Sequence, residues 1–167
     1  QQHFGVTPDL ATFGKAMANG FPLSVLAGRA EYMDRVADSW ISSTHCTNAF
    51  EYAAALATIR YMEDHQVIEH LWDIGGRLIA GLNSAAEDVG VEATAVGLAP
   101  TPYLAFRYPD PQVNESARKY FYEEALSQGI FFHPNHHWFV SAAHGDFELA
   151  KTLEVSEAAF RAVKQRL

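Results

Sequence analysis

Gly5-Val6-Thr7-Pro8-Asp9-Leu10-Ala11-Thr12-Phe13-Gly14-Lys15-Ala16-Met17-Ala18-Asn19-Gly20-Phe21-Pro22-Leu23-Ser24-Val25-Leu26-Ala27-Gly28-Arg29 sets one lysine between two short apolar runs and two turns. Thr7-Pro8-Asp9 reads as a turn, because proline presets φ and aspartate bonds its own backbone. Leu10 to Phe13 reads as a short strand, Asn19-Gly20-Phe21-Pro22 as a second turn, and Leu23 to Ala27 as a buried strand closed by Gly28. Lys15 follows Gly14 and has no acidic residue within five positions. A lysine in apolar surroundings sheds its charge readily, and the neutral amine is the nucleophile that bonds an aldehyde carbon. The competing reading is an ordinary surface lysine.

Downstream, Ala30 to Val36 suits one or two helical turns, and Ser39 to Thr47 reads as a polar loop. The run Ser42-Ser43-Thr44-His45-Cys46-Thr47-Asn48 puts hydroxyls and unpaired backbone N–H groups ahead of an Ala-rich helix, Ala49 to Met62. Such a run can cap the helix through Thr44, Thr47 or Asn48, and can also cradle a phosphate.

Val67 to Val89 carries Ile68, Leu71, Trp72, Gly75, Leu78, Ile79 and Leu82 at helical spacing, and Gly75-Gly76 inside it suggests a close helix contact. Val91 to Leu98 and Tyr103 to Tyr108 read as strands around Ala99-Pro100-Thr101-Pro102. Asn114 to Gln128 reads as a helix capped by Asn114 and stopped by Gly129. Ile130 to His133 and Trp138 to Ala142 are expected as short strands, and Phe147 to Leu167 as the last helix. The chain thus divides near residue 64 into a loop-rich part, too small to bury its own core, and an α+β part.

Composition narrows the classes. The chain has 167 residues, 49% hydrophobic and 19% charged, which is globular and not disordered. Twelve Lys plus Arg against 20 Asp plus Glu give a net charge of −8, which argues against a nucleic-acid or anionic-membrane partner. The longest apolar runs, such as Ala53 to Ala57, fall far short of the ~20 residues that span a bilayer. One cysteine, Cys46, allows no internal disulfide and points to a reducing, cytoplasmic setting. The start, Gln1-Gln2-His3-Phe4, does not read as a signal peptide, and a fragment entering in mid-fold is expected. His133, His136 and His137 sit on a turn without nearby cysteines, a weak pattern for zinc, so no metal site is expected.

Residues 5–29 resemble the segment that carries the cofactor lysine of class III pyridoxal-phosphate aminotransferases, in the branch of glutamate-1-semialdehyde aminomutases. The resemblance continues through Ser43-Thr44, Thr47-Asn48 and the Ala-rich helix, and returns at Phe139-Val140-Ser141-Ala142-Ala143-His144. It implies an α/β chain of aminotransferase fold type I. Residues 1–64 would be the end of the large pyridoxal-phosphate domain, and residues 65–167 the α+β small C-terminal domain. It also implies a C-terminal fragment of an enzyme moving an amino group between a small amino donor and a carbonyl acceptor, or of a related aminomutase. In that reading Lys15 holds pyridoxal 5'-phosphate as a Schiff base and shuttles the substrate proton. Thr44, helped by Ser43, binds the cofactor phosphate, reaching the neighbouring subunit's site in a homodimer.

The family's upstream phosphate loop, ring-stacking aromatic and the aspartate at the pyridine nitrogen have no counterpart in these residues, so the chain alone is expected to be nearly inactive. His133-Pro134-Asn135-His136-His137-Trp138 is shorter than the aminomutase segment and lacks its glutamate. Two other readings compete: a non-catalytic oligomerisation or interaction module, and a metal enzyme built on the three histidines. Tyr103, Arg107, His133 and Trp138 are candidates to line a substrate entrance, Arg107 by pairing with a carboxylate.

Overall fold

A computed structural model describes residues 1–40 and 48–167. They form two compact units, Gln1–Gln66 and Val67–Leu167. The break follows Gln66, against an expected boundary after residue 64.

In the first unit, β1 (Leu10–Phe13) and β2 (Val25–Gly28) pair antiparallel, Leu10 opposite Gly28 and Phe13 opposite Val25. Glycine is needed at 28, because a Cβ there would lie 2.3 Å from the Asp9 carbonyl oxygen. Arg29 locks that end, its backbone N–H donating to Asp9 O and its guanidinium to the Asp9 carboxylate at 3.2 Å. The expectation of a buried second strand is corrected. Every residue of β2 is exposed, because two four-residue strands bring no layer that would cover either face.

A short helix α1 (Ala30–Met33) runs into a 3-10 turn, Asp34–Asp38, on the stretch expected to be helical. α2 (Ala49–Asp64) is built from strong helix formers. Asn48 occupies its N-cap position, but its amide donates to the Glu51 carboxylate at 2.9 Å and does not accept a backbone N–H. The other two expected caps, Thr44 and Thr47, lie outside the described residues. Among the described residues of this unit only Ala18 and Ala55 are buried.

The second unit holds the core. α3 (Val67–Val89) buries Ile74, Leu78, Leu82 and Ala86, one residue per turn of a single stripe. β3 (Ala93–Leu98) and β4 (Thr101–Phe106) form a hairpin in register from Ala93↔Phe106 to Leu98↔Thr101, closed by Ala99-Pro100. α4 (Pro111–Ser127) and α5 (Asp146–Arg166) complete the unit, with α5 packed against both α3 and α4. Phe121 is fully buried, its ring centroid 4.7 Å from Phe160 and 5.8 Å from Phe106.

The structure changes four details. The close contact expected at Gly75-Gly76 is between Gly75 and the hairpin turn, where a Cβ would lie 1.8 Å from Ala99 O; Gly76 is open. The tight helix–helix approach is at Gly81, against Leu153 of α5. α4 begins before Asn114: Asp110 is the cap, its Oδ1 accepting from Gln112 N at 2.7 Å, with Pro111 at the first helical position. Asn114 instead accepts from Tyr108 N at 3.0 Å.

Finally, neither Ile130 to His133 nor Trp138 to Ala142 is a strand. Trp138 N donates to Pro102 O at 2.8 Å and Val140 N to Pro100 O at 3.0 Å, an antiparallel spacing. A ladder needs the return bonds, and proline has no N–H to give.

At the start of α5, Glu148 accepts the N–H of Gly145 at 2.9 Å. That bond, more than the bond from its own N–H, holds the Glu148 carboxyl below its ordinary value. A lowered folded value stabilises above the unfolded pKa and is lost as pH falls through the folded one. Glu148→Gln is therefore expected to reduce the acid dependence of unfolding below the ordinary glutamate range while leaving stability above neutrality nearly unchanged in its pH slope. Denaturant midpoints taken across that range check it.

Candidate active site

Lys15 stands at the exit of β1. Gly14 is still extended (φ −171°, ψ −159°), and Lys15 then turns into the left-handed region at φ 54°, opening a 3-10 turn, Lys15–Ala18, that ends at left-handed Asn19. An L side chain in that region costs ~1–2 kcal/mol. The lysine is exposed, and no described residue pairs with its ammonium. A left-handed backbone carrying a primary amine that no carboxylate among the described residues pairs with suits a covalent carbonyl anchor. The residue thus fits a carbonyl cofactor. Ser43 and Thr44 lie outside the described residues.

The histidine turn is held firmly. Arg118 of α4 donates to Pro134 O at 3.0 Å and to the Asn135 side chain, and pairs with Glu115 at 3.1 Å. That hydrogen-bonded ion pair raises the guanidinium's pKa. Asn135 N donates to His133 Nδ1 at 3.2 Å, and His136 Nδ1 meets His137 O at 2.7 Å. Nearby, His144 Nδ1 accepts from Ser141 N at 3.0 Å, and its carbonyl meets His70 Nε2 at 2.8 Å. Among the described residues no group of three His, Cys, Asp or Glu is placed to hold a metal ion.

Of the four residues proposed to line an entrance, the structure brings His133 and Trp138 together and sets Arg107 apart. Trp138 is buried, stacked on Phe132 at 4.1 Å, and donates Nε1 to His133 O at 3.0 Å. Arg107 lines a separate polar cleft with Asn83, Glu87, Glu92 and Thr94. Burial pushes the Tyr122 hydroxyl's pKa up, and that hydroxyl finds no partner among the described residues.

Two features escaped the sequence reading. One is the Arg118 clamp, whose partners lie sixteen and seventeen positions away. The other is an apolar cleft of about 390 Å³ lined by residues including Ile74, Leu78, Phe132, Val140 and Phe147. The high exposure of Phe131, Phe139 and Phe147 accompanies that cleft, and their apolar character was its only trace in the sequence.

The family model described as Aminotransferase class-III matches residues 1–144. The chain is 34% identical over 168 residues to the 3-aminobutyryl-CoA aminotransferase of Cloacimonas acidaminovorans, covering 100% of this chain and 41% of that protein. It is 33% identical over 171 residues to the glutamate-1-semialdehyde 2,1-aminomutase of Archaeoglobus fulgidus, covering 95% and 41%. The solved structure of the FumI protein of Sphingopyxis sp. MTA144, in its PLP internal aldimine form, superposes with a TM-score of 0.89 at 33% identity, over 98% of this chain and 39% of that one. An omega-transaminase from Sphaerobacter thermophilus shares the fold, with a TM-score of 0.86 at 23% identity, over 98% and 40%. The chain spans about two fifths of the length of these relatives. No helix among the described residues is long and apolar enough to cross a membrane.

Proposed function

This chain belongs to the class III aminotransferase family, and on that premise we propose that it is part of a pyridoxal-phosphate-dependent aminotransferase or aminomutase in which Lys15 is the catalytic lysine. The observation that carries this reading is Lys15 itself, an amine without a partner among the described residues, on a left-handed backbone one residue after β1. Residues 1–64 then belong to the large cofactor domain and residues 65–167 to the small C-terminal domain.

Pyridoxal 5'-phosphate, when bound, supplies an electron sink for the charge left when a proton leaves the carbon bearing the substrate nitrogen. Lys15 would hold the cofactor covalently through its Nζ. The Lys15 Nζ, when free, would accept that proton and return it on the far side of the nitrogen, acting as base and then acid. Thr44 and Ser43 are assigned to the cofactor phosphate, their hydroxyls and backbone N–H groups preceding α2. A homodimer with shared sites follows from the same reading, as does a small amine and carbonyl pair as substrates. The single cysteine supports a reducing compartment.

Borohydride treatment of the whole protein, followed by peptide mapping, tests the assignment. The expected result is cofactor mass fixed on the peptide containing Lys15. Cofactor on a different lysine, or none retained, rejects it.

A further inference from the structure

The five asparagines of the chain stand in unequal surroundings. Asn48 donates its amide to the Glu51 carboxylate. Asn83 bonds both the carbonyl and the N–H of Ala95. Asn114 accepts from Tyr108 N, and Asn135 accepts from Arg118. Each of these four is followed by a residue with a Cβ, namely Ala49, Ser84, Glu115 and His136. Asn19 differs on both counts. Its side chain is exposed and has no partner among the described residues, and the next residue is Gly20.

Gly20 adds two further features. The N–H groups on either side of it are tied, Asn19 N to Ala16 O at 3.0 Å and Phe21 N to Ala18 O at 3.2 Å, whereas Gly20 N has no partner among the described residues. Its backbone lies at φ 103°, and a Cβ placed there would meet nothing within 4 Å. The link between Asn19 and Gly20 is thus held by no bond of its own, and no side chain at position 20 shields its nitrogen.

We propose that Asn19-Gly20 is a site of spontaneous deamidation, which puts a carboxylate at the far end of the turn that Lys15 opens. Gly20 N gives its proton to hydroxide and bonds Asn19 Cγ. The bond from Cγ to the side-chain nitrogen breaks, and that nitrogen takes a proton from water and leaves as ammonia. The cyclic imide so formed then adds water. Addition at Cγ restores the main chain and gives aspartate. Addition at the main-chain carbonyl carbon gives isoaspartate, with the chain now running through Cγ. Nothing is oxidised or reduced.

Both products change the surroundings of Lys15. That residue has no acidic neighbour within five positions, and it gains one four positions on, roughly 8 Å along a 3-10 turn. At that range, inside the ~10 Å reach of a charge at ordinary salt, a carboxylate favours the ammonium over the free amine. The isoaspartate also lengthens the main chain inside the loop closed by the Phe21 N to Ala18 O bond. The conversion needs no cofactor, so it goes beyond the aminotransferase reading and is tested apart from it.

The whole protein is held at mildly alkaline pH, digested in acid, and the asparagine peptides are weighed. The Asn19 peptide is expected to gain the amide-to-acid mass difference roughly tenfold or more faster than the Asn83 peptide, whose amide must first release two backbone bonds. Electron-transfer fragmentation is expected to find both aspartate and isoaspartate at position 19. On anion exchange a more acidic fraction should grow with time, and its aspartate form should co-elute with Asn19→Asp. Asn19→Gln should lose that fraction. A free peptide of residues 15–23 gives the rate of the sequence outside the fold. Equal rates at all five asparagines overturn the proposal. So does an intact Asn19 in the protein at a time when the free peptide has converted. The borohydride mapping reads Lys15 and the deamidation reads Asn19, so the two readings fail separately.

Discussion

Lys15→Ala is expected to abolish transamination by the whole protein while leaving its fold intact. Loss of the proton-shuttling amine removes ~10²–10⁴-fold in rate by itself, and loss of the covalent anchor adds to it, so turnover should fall to background. The fold should not suffer, because the side chain is exposed and no described residue bonds to it. Alanine inherits the same left-handed backbone at φ 54°. Lys15→Gly does not, and is expected to be more stable than the parent by up to ~1 kcal/mol while equally inactive. Thermal unfolding of the three proteins beside their kcat/KM values checks both halves. Residual activity in Lys15→Ala above that of buffer with free cofactor would contradict the assignment. A stabilised but inactive glycine variant would identify position 15 as one where stability is given up for function.

Phe121→Ala is expected to have the largest effect on the second unit, ~3–5 kcal/mol. The ring is fully buried and makes aromatic contacts with Phe106 of β4, Phe132 and Phe160 of α5, at 5.8, 6.0 and 4.7 Å between centroids. Its removal empties the point where the hairpin, the 130–133 segment and two helices converge. Against a typical total of ~5–15 kcal/mol, that loss should move the urea midpoint strongly. Phe121→Leu, which refills most of the volume, should cost clearly less. Equal midpoints for parent and Phe121→Ala would show that these contacts do not hold the unit together.

Helical stripes were the most legible part of the sequence. α3 spans Val67–Val89 as its periodicity predicts, because Ile74, Leu78, Leu82 and Ala86 obey one repeat over about three turns. Signals that depend on partners were less legible. Asn114 has the chemistry of a cap, but Asp110 with Pro111 supplies the earlier and stronger one. The apolar run at Val25 reports a preference for burial, and only neighbouring chain can satisfy it. Lys15 was visible as a lone cation after Gly14, whereas its left-handed φ was not, since nothing in the residue type demands it. Arg107 and Trp138 looked alike as candidates. Separate clefts and a stacked indole divide them, and those are properties of the folded chain alone.

The one-sided bonding at Pro100 and Pro102 has a kinetic consequence. The hairpin receives two hydrogen bonds from Trp138 and Val140 and returns none. Detaching the 130–142 strip would therefore leave both strands of β3 and β4 fully paired with each other. Such a strip can open as its own cooperative unit, below the free energy of global unfolding. The Trp138 and Val140 amides should then exchange with solvent deuterium earlier than the Leu82 or Phe160 amides. The histidine turn would travel with the strip, so its bonds to Arg118 would break and re-form with that opening.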